Sequence, residues 1–103
     1  MLSPAAVGAE NYVIWLNERT YIAVNFVTIR GRVVTFVVRL MRIAPAGDRV
    51  LSRFDTAHGL PHHDLLTPKG NLAKKVWLDA LSFDDALGHA IKHFKEHHAD
   101  YDG

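Results

Sequence analysis

"YIAVNFVTIRGRVVTFVVRLMRI", residues 21–43, decides the fold class. It consists of two runs rich in β-branched and aromatic residues, separated by Arg30-Gly31-Arg32, and it reads as two strands joined by a tight reversal. The same pattern continues on both sides. Upstream, "YVIWL" (12–16) runs into the turn formers "NERT". Downstream, "APAGD" (44–48) separates residue 43 from "RVLSRFDT" (49–56). Breaks at such short intervals suit hairpins, not alternating strand and helix units, so the first half of the chain is an antiparallel meander of four strands.

Further along, "HHDLL" (62–66) reads as a strand running back against residues 49–56. "LTPKGN" (66–71) supplies a tight turn, and "LAKKVWL" (72–78) a further strand. The last segment is a helix. Ser82 is its N-cap, Asp84 and Asp85 complement the positive end of the dipole, and Phe83, Ala86, Leu87, Ala90, Ile91 and Phe94 form one apolar stripe. The expected fold is therefore α+β, one domain over residues 1–103. An antiparallel meander sheet of five to six strands carries one C-terminal helix on one face, and residues 1–9 form a flexible arm.

Alternation assigns Val34, Phe36, Val38 and Leu40 to one face of the third strand, and Val33, Val37, Met41 and Ile43 to the other. One helix covers one face only. Either the sheet curls on itself or a second chain, a copy or a small partner protein, covers the remainder, which makes a homo-oligomer one structural expectation. Trp15 and Trp77 are assigned to packing.

Composition narrows the function classes. With 103 residues, 49% of them hydrophobic and 22% charged, the chain is long enough for one core and too apolar for disorder. It has no cysteine, which excludes disulfides, thiolate catalysis and cysteine-ligated metal centres. No apolar run approaches the ~20 residues of a membrane span, and the N-terminus lacks the pattern of a signal peptide, so a cytoplasmic protein without a membrane role is expected. The net charge is only +1, but residues 19–53 hold seven arginines against Asp48 alone, while six acids follow from residue 79 onward. That split attracts a phosphate backbone to one surface, or lets a basic sheet meet an acidic helix.

Chemistry concentrates in "RFDTAHGLPHHD" (53–64). Arg53 and Asp55 share a strand face with Phe54 turned away, and the returning strand brings His62, His63 or Asp64 beside Asp55, depending on register. The expected pairing sets Asp55 opposite His63. A carboxylate orients an imidazole, the imidazole moves protons near neutral pH, and an arginine grips phosphate with two prongs. On this reading the catalytic residues are Arg53, Asp55, His58, His62 and His63. They would cleave RNA without a metal, because the substrate's own 2′-hydroxyl is the nucleophile, and no cofactor is expected. No serine stands near these histidines in sequence, which weighs against a protein nucleophile.

The same side chains also permit a metal site with Asp55, His58, His62, His63 and Asp64 as donors, or a solvated hairpin end with no chemistry. A second group, His89, His93, His97 and His98, contains the H-x-x-E-H pattern of His93, Glu96 and His97. At the end of so short a chain it reads as a solvated helix edge.

The stretch 53–62 resembles an RFDTAHG-type motif of small bacterial and archaeal proteins and is distantly similar to the TumE-like toxin component of two-gene toxin/antitoxin systems. Arg53, Phe54, Asp55, Ala57, His58 and His62 carry the likeness, and Thr56, Gly59 and His63-Asp64 depart from it. The resemblance implies a toxin/antitoxin component acting on RNA. The other function class left open is a non-catalytic, homodimeric or partner-binding module.

Overall fold

The computed structural model describes residues 6–56, 59–78 and 80–101. Six strands follow one another across a single antiparallel sheet in sequence order: β1 (Val7–Trp15), β2 (Thr20–Ile29), β3 (Arg32–Arg42), β4 (Arg49–Asp55), β5 (His62–Leu66) and β6 (Leu72–Trp77). Helix α1 (Phe83–His97) follows and ends in a 3-10 turn, His98–Tyr101. The expected α+β meander with one C-terminal helix is the observed fold, at the upper strand number.

The β2–β3 reversal is a two-residue turn. Ile29 pairs with Arg32, and both Arg30 (φ 53°) and Gly31 (φ 78°) occupy the left-handed region that suits strands of right-handed twist. At the N-terminus, residues 7–9 are not a free arm. Val7 to Ala9 pair with Ile29 to Val27, and Arg30 N donates to the Ala6 carbonyl at 2.6 Å. Gly8 permits this close approach, since a Cβ there would lie 2.8 Å from Thr28 Oγ1.

Ser82 caps α1 by accepting from Asp85 N at 3.1 Å, as its position before an acidic first turn implies. Asp84 Oδ1 accepts from Val33 N at 3.4 Å and ties the helix start to β3. Ala86, Leu87, Ala90 and Phe94 then bury against Ile22, Val24, Phe36, Val38, Leu40 and Phe54, with the alanines letting the helix lie close to the sheet. Each such aromatic or branched side chain contributes ~1.5–3 kcal/mol by leaving water.

Two register shifts reshape the core, and the first corrects an expectation. The ladder slips between Val27 and Thr28, so that Val33 turns into the core while Val34 is exposed, the reverse of strict alternation. A second slip at Leu40/Met41 leaves Leu51 as the extra residue of β4 and places it in the core.

The face away from α1 is polar in its middle, where both faces had been expected to be apolar. Between Val37 and Met41 stands Arg39, and cross-strand pairing aligns Val13, Ala23, Arg39, Arg53, Asp64 and Lys75 in one row. The next row runs Asn11, Asn25, Val37, Asp55, His62 and Trp77. Among the described residues no helix is long and apolar enough to cross a membrane.

Candidate functional site

The β4–β5 register is Arg53 with Asp64, Phe54 with His63, and Asp55 with His62. Asp55 therefore faces His62 and not His63, a one-residue difference that moves His63 to the opposite side of the sheet. Arg53, Asp55, His62 and Asp64 converge on the outer face. His58, also expected in the site, lies outside the described residues.

In that group Arg53 Nε donates to Asp64 Oδ2 at 2.9 Å and stands 3.4 Å from Asp55 Oδ2. His62 Nε2 is 2.9 Å from Asp55 Oδ1 and 3.6 Å from Asp64 Oδ2. Its Nδ1 lies 3.2 Å from the Leu60 carbonyl, an acceptor only, so Nδ1 carries the proton that is donated there. Lys75 Nζ reaches within 3.9 Å of Asp64 Oδ1, and Trp77 covers the imidazole with ring centroids 5.2 Å apart. His62 and Asp64 are each 1% exposed, and Asp55 is 7%. Three residues with nearly no solvent contact thus lie beneath an arginine whose side chain is 42% exposed.

Two atoms of this face, Asp64 Oδ1 and Arg39 Nε, are buried without a hydrogen-bond partner among the described residues. Arg39 Nη2 donates to Asn25 Oδ1 at 3.3 Å, and Asn25 in turn donates to Asn11 Oδ1 at 2.6 Å, which continues the polar row to β1. Among the described residues, Asp55, His62 and Asp64 are the group of three whose potential ligand atoms all lie within 4.8 Å of one another. Of the five metal candidates named from the sequence, these three come together and His63 does not.

Trp15 and Trp77, expected in packing, lie on the surface and outside the core cluster. They are 57% and 47% exposed, Trp15 tilted against Tyr21 at 5.0 Å and Trp77 beneath Lys75 Nζ at 5.4 Å.

On the helix side, His63 stacks on Phe54 with centroids 3.9 Å apart and meets His93, at 5.3 Å, edge to face. Its Nε2 lies 2.7 Å from Ser52 Oγ, which donates to the Asp64 carbonyl, and 3.4 Å from the Tyr101 hydroxyl. His93 Nε2 is 2.7 Å from that same hydroxyl. Burial, reinforced by repulsion from His93, pushes His63 down to about 4, and burial followed by His97 and His89 lowers His93. Burial raises Tyr101.

The serine absent from the sequence reading is therefore Ser52, three residues before Asp55. It is fully buried and bonded within the core, so its pairing with His63 is a structural clamp. The signal for Ser52 was its parity: it sits on the Phe54 face, opposite Arg53. The H-x-x-E-H residues divide as well. His93 faces the core cluster, while His97 lies 3.4 Å from Asp100 and 3.9 Å from Glu96 on the exposed side.

A family described as "Domain of unknown function (DUF7718)" matches residues 7–103. No curated protein and no solved structure matches the chain.

Proposed function

The chain belongs to the DUF7718 family, and from that premise we propose that it is an RNA-binding component of the toxin/antitoxin kind that engages the phosphate backbone on its outer sheet face. The observation that carries this reading is the cross-strand row in which Arg39, Arg53 and Lys75 lie on one face, with the half-exposed Trp77 beside them. Guanidinium and ammonium groups neutralise phosphates, and an indole stacks on an unpaired base irrespective of its identity. The charge split of the chain supports the same orientation, because Asp84, Asp85, Glu96 and Asp100 belong to α1 and its 3-10 extension and not to the sheet.

A phosphodiester held on Arg53 lies next to the Asp55–His62–Asp64 group. The pairing of His62 with His63 on one phosphate has lost its geometry, since the two occupy opposite faces, and His58, the other expected partner, lies outside the described residues. Arg53 is the proposed phosphate-holding residue. His62 is the histidine beside it.

Fluorescence anisotropy with a single-stranded RNA oligonucleotide tests the reading. Three phosphate contacts give a slope of about −2 in log affinity against log salt, and Arg53→Ala removes ~0.7 of it. Trp77→Ala costs ~1–3 kcal/mol of binding through lost stacking. Affinity unchanged in a folded Arg39→Ala, Arg53→Ala, Lys75→Ala triple variant would refute the proposal.

A further inference from the structure

We propose that Asp55, His62 and Asp64 form a binding site for one divalent first-row transition-metal ion. The inference stands on the side-chain geometry and does not depend on RNA binding.

The argument begins at His62. A carbonyl oxygen accepts and never donates, so the Leu60 contact fixes the proton of the neutral ring on Nδ1 and leaves a lone pair on Nε2. That lone pair points at two carboxylate oxygens, at 2.9 and 3.6 Å. Three donor atoms thus face one another in a nearly dry site, with Arg53 Nε at their edge on Asp64 Oδ2, and one metal ion would take the Nε2 lone pair and both carboxylates together. A histidine whose second nitrogen donates to a backbone carbonyl is oriented as metal-ligating histidines commonly are.

The spacing suits an ion. Two donors each ~2.1 Å from one metal stand ~3.0 Å apart at a right angle and ~3.4 Å apart at the tetrahedral angle. The observed separations of 2.9 and 3.6 Å need only small adjustment to reach either arrangement.

The second observation is Asp64 itself. It is 1% exposed, and among the described residues its Oδ1 has no hydrogen-bond partner. A buried carboxylate oxygen left unbonded costs about 1–3 kcal/mol or more, so its persistence calls for a cation that it can bind. Lys75 Nζ, 3.9 Å away, is too distant for a hydrogen bond. Arg53 Nε donates to Oδ2, the oxygen that also stands 3.6 Å from His62 Nε2, so an ion there would share Oδ2 with the guanidinium and draw on Oδ1 of the same carboxylate.

One imidazole with two carboxylates is a mixed nitrogen and oxygen donor set that suits manganese, iron or zinc, and it leaves coordination positions open to water or a phosphate oxygen. His63 is excluded by its side of the sheet. The helix histidines are excluded by distance, since none joins a convergent group of three among the described residues.

Chelator-treated full-length chain titrated calorimetrically with Mn2+, and separately with Zn2+, tests the site. The expected result is one ion per chain, a raised melting temperature with metal, and affinity lowered about tenfold or more in Asp64→Asn and in Asp55→Asn. Because a buried variant can misfold, paramagnetic broadening by Mn2+ in the unaltered chain provides a second readout: the ring signals of His62 should broaden first. Absence of saturable binding overturns the proposal. Broadening centred on His89, His93 and His97, or undiminished affinity in a folded Asp64→Asn chain, overturns it too. RNA binding that fails while metal binding succeeds removes the RNA reading alone.

Discussion

The two faces of the β4–β5 hairpin receive consecutive residues of one short motif and treat them in opposite ways. Outward, Arg53, Asp55, His62 and Asp64 hold one another in an ionic group beneath a tryptophan. Inward, Ser52, Phe54 and His63 join the core, where the imidazole serves as an aromatic ring stacked at 3.9 Å and is driven neutral by burial. Adjacent histidines therefore have different chemistry. Register assigns it, and residue type alone does not, because a strand sends neighbours to opposite sides.

If the inner face is the structural one, Phe54→Ala produces the largest loss, ~3–5 kcal/mol, since it opens a cavity between Phe94 and His63. Urea unfolding measures it, and a loss below ~1 kcal/mol would erase the distinction between the faces.

Acid sharpens the same contrast. His63 and His93 titrate lower in the folded chain than in the unfolded one, so between about pH 6.5 and pH 4 the unfolded state binds more protons. Stability is full above that window and falls as pH drops through it. We expect a loss of about 1–2 kcal/mol from pH 7 to pH 4, less than the full shift because His93 and Tyr101 keep solvent contact. Asp64, Asp100 and Glu96 favour the charged rings and oppose the loss, while His89 and His97 add to it. His63→Phe, which keeps the stack on Phe54, should flatten the urea midpoint against pH. An unaltered slope would place the titrating group elsewhere.

The smallest effect belongs to the outer rim. Lys75→Ala removes a cation 3.9 Å from Asp64 on a partly exposed side chain, and its cost to thermal stability should stay below ~1 kcal/mol. A larger loss would mean that Lys75, and not an ion, satisfies the buried carboxylate.

Much of this architecture is legible in the chain. β-Branched runs with turn formers between them mark the strands, "HHDLL" coincides with β5, and Ser82 caps the helix that its acidic first turn announces. The errors have physical causes. At residues 7–9 the expected arm overlooked that Gly8 permits close strand pairing, and the inverted pair Val33 and Val34 came from a bulge that no alternation rule signals. Arg39 sat in plain view within an apolar run, and the sheet face it makes polar was expected to be hydrophobic. Ser52 and Tyr101 were missed because they reach His63 from residues 11 positions before it and 38 after.

The sequence by itself determined the element order, the side-chain parity of Arg53 and Asp55, and the concentration of ionisable groups in residues 53–64, because these follow from local propensity and period-two geometry. Only the tertiary structure decided that His62 and not His63 joins Asp55, and that Asp64 is buried with an oxygen that accepts no hydrogen bond among the described residues. Pairing register and burial are properties of strands in contact, and a shift of one residue is invisible in the composition of either strand while it exchanges the two faces of both.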